Sequence, residues 1–293
     1  MTDFEDRFWT SRDGLQLHYR EYPAQGEQAS AAPARPAIVC LHGLTRNARD
    51  YELLAPRLAA AGWRVLCPEM RGRGDSEYAR DAASYSGKQY LEDLAIFFEE
   101  AGVDRFVALG TSLGGLLAMD LASLMPERVV AAVINDVGPW LEPAGMERIR
   151  DYAGQGRTYA TWVHAARGLE SVQGVAHPGQ PLDFWIGKAK RLMTLSSNGR
   201  IVFDYDMKIA EPFYEFDLGN QPDLWPAWRA LAARPVLVLR GDLSDVLSLK
   251  TLAQMLEALP EAEAVTLPGV GHTPTLDEPA SIAAIEALLA RVA

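Results

Sequence analysis

Phe106-Val107-Ala108-Leu109-Gly110-Thr111-Ser112-Leu113-Gly114-Gly115-Leu116 passes from a short apolar run, through a serine flanked by glycines, into a stretch of helical character. The run ending at Leu109 has the composition of a strand covered on both faces. Residues 110–114 match G-x-S-x-G, so the reversal from strand to helix is compressed into a tight turn. A serine in such a turn adopts a strained backbone conformation, and the small residues beside it admit neighbouring chains that a bulkier side chain would block. Its hydroxyl then projects above the sheet edge. The first amides of the following helix point to the same place, where negative charge would develop on an attacked carbonyl oxygen. Ser112 is therefore the candidate nucleophile.

Outward from this turn the chain alternates between strand-like and helix-like segments, which predicts a largely parallel sheet with helices on both faces. Apolar runs at 37–41, 64–67, 105–109, 129–134, 235–239 and 263–267 are separated by helical stretches near 48–61, 88–101, 113–125, 249–259 and 279–292. Residues 16–22 alternate with period two, as an antiparallel edge strand does, and 25–36 reads as an exposed connection. The rhythm breaks between 138 and 226, where Trp140, Tyr152, Tyr159, Trp162, Trp185, Tyr205, Tyr214 and Trp225 accumulate. This segment reads as an inserted, mainly helical cap on a core formed by 1–137 and 227–293. Large aromatics commonly serve packing alone. Trp140, Trp162 and Trp185 are the cap residues expected to meet a substrate.

Composition narrows the function classes. The chain has 293 residues, enough for one α/β core with an insertion, and its 48% hydrophobic and 23% charged residues are those of a packed globular protein. With 28 basic against 39 acidic residues the net charge is −11, and no basic stripe could neutralise a phosphate backbone, so nucleic acid is not an expected partner. No apolar run approaches the ~20 residues that span a bilayer, and residues 1–10 lack a secretion-type apolar segment, so the expectation is a cytoplasmic protein, monomer or homodimer, acting on a small molecule. Cys40 and Cys67 lie in apolar runs and are expected to be buried free thiols. No paired ligand spacing suggests a metal, and Arg71-Gly72-Arg73-Gly74 lacks the spacing of a phosphate loop, so no metal or cofactor is expected.

A serine nucleophile needs a base, an acid to orient it and donors for an oxyanion. Of His18, His42, His164, His177 and His272, only His272 lies in a glycine-rich loop, Gly269-Val270-Gly271-His272, after the last strand and before the final helix. His42-Gly43-Leu44 follows the strand at 37–41. The amides of Leu44 and Leu113 are the expected oxyanion donors, with His42 supporting its loop. The acid is Asp136 or Asp245, each in a loop that can reach the imidazole.

These motifs, with Arg71-Gly72-Arg73-Gly74-Asp75-Ser76, Gly110 to Gly115, and Arg240-Gly241 with Ser244-Asp245, resemble the α/β-hydrolase superfamily in their order along most of the chain. The cap matches no pattern. The resemblance implies an eight-stranded, mostly parallel sheet, a lid after the sixth strand, and cofactor-free hydrolysis of esters, lactones, thioesters or activated C–C bonds. One departure concerns the acid. The common pattern has it three residues beyond Gly241, where this chain has Ser244, with Asp245 one step later. Relatives with a displaced acid carry it after the sixth strand, the position of Asp136. Asp136 is the expected acid, with Asp245 its alternative. The expected activity is hydrolysis of a carboxylic ester or lactone of a small apolar or aromatic substrate through an acyl-enzyme. Cleavage of vinylogous diketones, cofactor-free perhydrolysis and a non-catalytic small-molecule receptor are the alternatives. Dehalogenase and epoxide hydrolase chemistry would need a carboxylate in place of Ser112.

Overall fold

The computed structural model describes residues 4–26 and 35–292, so most of the connection expected at 25–36 lies outside the described residues. A hairpin of β1 (Glu5–Thr10) and β2 (Gln16–Tyr22) opens the chain. It is followed by β3 (Ala37–Leu41), α1 (Leu54–Ala60), β4 (Val65–Pro68), α2 (Gly87–Glu100), β5 (Phe106–Thr111), α3 (Leu113–Leu124) and β6 (Val129–Asn135). The chain then leaves the sheet. It forms α4 (Pro143–Arg150), β7 (Thr158–Tyr159), α5 (Trp162–Gln173), α6 (Leu182–Leu192), β8 (Met193–Leu195), β9 (Ile201–Phe203), α7 (Ala210–Glu215) and α8 (Trp225–Arg229). It returns through β10 (Val236–Gly241), α9 (Leu249–Ala258), β11 (Glu263–Leu267) and α10 (Pro279–Leu289).

The eight strands are ordered β1-β2-β4-β3-β5-β6-β10-β11, parallel from β4 to β11, with β1 and β2 antiparallel at one edge. The continuous apolar runs follow from burial on both faces. In β3, Val39 and Leu41 join the core layer containing Phe97, Leu117 and Met255 from α2, α3 and α9. Ile38 and Cys40 point the other way, into the layer containing Leu58 and Leu288 from α1 and α10. Cys40 and Cys67 are buried free thiols on neighbouring strands, and burial pushes the Cys67 thiol up. No helix among the described residues is long and apolar enough to cross a membrane.

Two features depart from the sequence reading. The strand β1 was not anticipated, because Glu5–Thr10 buries only Trp9 and shows no apolar run. The insertion is not wholly helical either: β7, β9 and β8 form a small antiparallel sheet. The insertion has its own apolar cluster, including Leu169, Trp185 and Ile201, and is tied to the core by backbone bonds. Gly74 N donates to Asp204 O at 3.0 Å, Asp206 N to Gly72 O at 2.8 Å and Gly271 N to Ala176 O at 2.6 Å.

The turn at 69–76 is organised by a buried carboxylate. Glu69 pairs with His18 Nδ1 at 2.9 Å and accepts the amides of Ala48 at 2.9 Å and Asp75 at 2.7 Å. His18, Glu69 and Asp75 thus gather within 4.8 Å of one another, but these bonds already occupy both Glu69 oxygens. A Cβ at Gly74 would stand 2.2 Å from Glu69 Oε2, so only glycine fits there.

Candidate active site

The chain runs from β3 outward to β4 and then back to β5 on the other side of β3. Parallel sheets that reverse order in this way leave a crevice at the carboxyl ends of the two strands. The loop after β3 carries His42-Gly43-Leu44, and the turn after β5 carries Ser112. Leu41 pairs with Gly110 in register, so the two loops emerge side by side.

Ser112 has φ 52° and ψ −116°, a conformation that costs a non-glycine residue roughly 1–3 kcal/mol. Its neighbours explain how the turn closes. A Cβ at Gly110 would lie 2.2 Å from Gly114 O, and one at Gly114 would lie 1.9 Å from Leu41 O. Backbone approaches this close demand glycine at both positions.

The ends of β6, β10 and β11 bring three further side chains to Ser112. His272 Nε2 is 3.0 Å from Ser112 Oγ, and His272 Nδ1 is 2.8 Å from Asp136 Oδ2. A carboxylate only accepts, so Nδ1 carries the proton and Nε2 is left to accept from the serine hydroxyl. Asp136 is fully buried and its other bonds hold it still: Gly241 N donates to Oδ1 at 2.9 Å, and Ser244 Oγ donates to Oδ2 at 2.7 Å. The His272 loop is anchored by Asn135, whose side-chain amide donates to Pro274 O and to Thr111 Oγ1, both at 3.1 Å.

Asp245 is directed elsewhere. Its carboxylate takes both forks of Arg148 on α4, with Arg148 Nη2 at 2.7 Å from Oδ1, and so ties the insertion to the loop after β10. The structure therefore brings Asp136, and not Asp245, against His272.

Leu44, in the loop after β3, and Leu113, the first residue of α3, border one cavity together with Ser112. Leu113 opens α3, where first-turn amides have no carbonyl of their own helix to bond. The Gly43–Leu44 peptide is fixed through its carbonyl, which accepts His42 Nδ1 at 2.8 Å and Arg46 N at 3.1 Å. In a trans peptide the Leu44 N–H then points away from those partners. His42 Nε2 in turn accepts Met70 N at 3.0 Å, and burial lowers this imidazole to about 4, so it stays neutral and fills a supporting place. Arg73 secures the next peptide, donating from Nε to Leu44 O at 2.9 Å and from Nη1 to Tyr90 Oη at 2.8 Å.

Among the described residues, Ser112 borders two cavities. The larger, about 410 Å³, is lined chiefly by apolar groups, among them Leu113, Leu116, Val137, Met146, Phe213 and Phe216. The smaller, about 50 Å³, is polar and bordered by Thr45, Arg46, Tyr152, Gln173, Lys188 and His272. Leu44, Ser112 and Ile149 belong to both.

A sequence profile of the Alpha/beta hydrolase family matches residues 38–285. The chain belongs to that family. Among curated relatives, the 3-hydroxybutyrate-oligomer hydrolase of Cupriavidus necator is 34% identical over 274 residues, covering 91% of each chain. The 2-(acetamidomethylene)succinate hydrolase of Mesorhizobium japonicum is 24% identical, covering 81% of each. The crystal structure of an alpha/beta hydrolase from Novosphingobium aromaticivorans is 57% identical and matches with a TM-score of 0.92, each chain covered in full. The eight-stranded α/β-hydrolase fold expected from the motifs is thus the fold observed.

Within this α/β-hydrolase the expected substrate contacts need correction. Trp140 is 37% exposed, Trp185 is buried in the cluster internal to the insertion, and Trp162 packs against that cluster. None of the three lines either cavity at Ser112. The amphipathic spacing of α5 and α6 turns their large apolar groups towards each other, where their burial stabilises the insertion. Of the eight tryptophans and tyrosines noted in the insertion, Tyr152 borders a cavity at Ser112, and the larger cavity draws its insertion aromatics from Phe213 and Phe216. Ser244 and Lys188 were not singled out from sequence. Ser244 carried a signal, since it occupies the position at which the resemblance put the acid. Lys188 carried none, because one lysine on an amphipathic helix reads as a solvated face.

Proposed function

We propose that this α/β-hydrolase cleaves a carboxylic ester or lactone of a small, largely apolar substrate through an acyl-enzyme. The observation that carries the reading is the unbroken chain from Ser112 Oγ through His272 to the buried Asp136, at 3.0 and 2.8 Å. Ser112 attacks the carbonyl carbon as His272 Nε2 takes its proton, and Asp136 stabilises the imidazolium. The amides of Leu44 and Leu113 hold the oxyanion, each donor contributing roughly 3–4 kcal/mol to lowering the barrier. Collapse expels the alcohol, which receives the proton from His272. Water, activated by the same imidazole, then releases the acid. The apolar cavity of about 410 Å³ supports a hydrocarbon portion of modest size. The 3-hydroxybutyrate-oligomer hydrolase, similar over 91% of both chains, supports short hydroxyacid esters as the first substrates to assay.

A fluorophosphonate probe tests this reading. One covalent adduct is expected, on the peptide containing Ser112, with parallel loss of p-nitrophenyl ester hydrolysis. Sustained hydrolysis by protein that carries no adduct at Ser112 would overturn it. A finer test concerns Ser244, whose hydroxyl is one of two donors to Asp136 beyond His272. Ser244→Ala is expected to lower kcat about tenfold with KM little changed, since a hydrogen bond to a charged group contributes about 1.5–3 kcal/mol and Gly241 N still holds the carboxylate.

A further inference from the structure

The smaller cavity is bordered by a buried amine that pairs with no carboxylate among the described residues. Lys188, on α6, is 4% exposed, and its Nζ lies 2.6 Å from His177 Nε2, its one hydrogen-bond partner among the described residues. As an ammonium it would have three donors, of which His177 takes one. The neighbouring cations are matched. Arg46 makes a bidentate pair with Asp50 at 2.6 and 2.7 Å, and Arg148 makes one with Asp245. His177 supplies no negative charge: burial, reinforced by Lys188, lowers it to about 2, so it accepts as a neutral ring. Burial and the positive charge of Arg46 hold the Lys188 ammonium well below its usual range, against the opposing pull of Asp50. A buried amine without a counter-charge is unfavourable, and packing alone would be served better by an apolar side chain.

We propose that Lys188 anchors a carboxylate subsite beside Ser112, so that the preferred substrates are esters whose acyl or alcohol portion ends in a free carboxylate. This specifies the substrate class of the ester hydrolase proposed above and rests on that reading. The cavity of about 50 Å³ is several times the roughly 10–15 Å³ that one water needs, which suits a carboxylate with a methylene or two. The larger cavity offers such a group no cationic partner. Its lining is chiefly apolar and includes no Lys or Arg, and burial holds the carboxyl that borders it, Asp120, towards its neutral form, so a carboxylate placed there would be desolvated without a cationic partner. The two cavities thus sort the substrate, with hydrocarbon in one and anion in the other.

The test compares acids with isosteric amides. For an acyl-side carboxylate the pair is the ethyl monoester of glutarate against ethyl 4-carbamoylbutanoate. For an alcohol-side carboxylate it is the butanoate ester of 3-hydroxypropanoate against that of 3-hydroxypropanamide. In the wild-type protein one pair is expected to show a kcat/KM ratio of about 30 in favour of the acid, as a charge-assisted bond implies. Which pair does so identifies the carboxylate's side. In Lys188→Met that ratio is expected to fall to about 1–3. Ratios near unity for both wild-type pairs, or a ratio that Lys188→Met leaves unchanged, would overturn the proposal. Should no ester turn over, the hydrolase reading fails, and the subsite is read separately by calorimetry with glutarate and 3-hydroxypropanoate. Binding of either that weakens at least tenfold in Lys188→Met supports the subsite, and no binding of either by the wild-type protein sinks it.

Discussion

Ser112→Ala is expected to hydrolyse its best ester about a millionfold more slowly than the wild-type protein, with KM changed by less than about threefold. The magnitude follows from the proposed mechanism, in which Ser112 and His272 act as a unit: without the hydroxyl, the imidazole has no covalent step to assist. What survives is the background from binding and oxyanion stabilisation. Single-turnover assays on protein free of contaminating esterase would measure it, and a loss below about tenfold would remove Ser112 from the chemistry. The same position gives a stability test that a merely incidental serine would fail. At φ 52° and ψ −116° an alanine keeps the strained Cβ, whereas a glycine does not. Ser112→Gly is therefore expected to be more stable than Ser112→Ala by about 1–2 kcal/mol in denaturant melts, and equally inactive. Loss of activity with gain of stability is the mark of strain held for a purpose.

The parts of this molecule legible in sequence are those where one local physical demand decides the residues. The glycines at 110 and 114 are fixed by backbone contacts of a single turn, and the runs of β3, β5 and β10 by burial on both faces. That is why Ser112 could be singled out and why the helices expected at 88–101, 113–125, 249–259 and 279–292 fell within about three residues of their observed limits, whereas α1 starts six residues later than expected. Long-range choices were not legible. Asp136 and Asp245 both sit in loops at the carboxyl ends of neighbouring strands, and only the partner each finds, His272 or Arg148, separates them. The tryptophans of the insertion announce apolar surface but give no direction, and two of the four, Trp162 and Trp185, lie in or against the cluster where α5 meets α6. The strand β1 lies at an edge with one buried residue, so its pattern is that of a polar loop. Lys188 was invisible for the opposite reason: its burial is a property of the tertiary fold alone.

The contrast between the two aspartates makes the sharpest mutational comparison. Asp136→Asn is expected to lower kcat about 10⁴-fold, whereas Asp245→Asn changes it by less than about fivefold. Asparagine is a clean replacement at 136. The residue has φ 56°, a left-handed conformation that Asp and Asn tolerate, and Asn can still accept Gly241 N at the position now taken by Oδ1. What changes is the proton on His272. With the side-chain oxygen at 136 held by Gly241 N, the new amide nitrogen takes the place of Oδ2, where it faces Ser244 Oγ and His272 Nδ1 and donates to both. Nδ1 must then be bare, the tautomer shifts, and Nε2 becomes a donor that cannot take the Ser112 proton. At Asp245 the same substitution removes one charge from a pair with Arg148 that is partly open to solvent, which costs about 1 kcal/mol of stability and leaves the imidazole untouched. Steady-state kinetics with matched thermal melts would separate the cases. Near-normal turnover in Asp136→Asn together with a collapse in Asp245→Asn would mean that the loop after β10 moves in solution to bring Asp245 to His272, exchanging its bond to α4 for one to the imidazole.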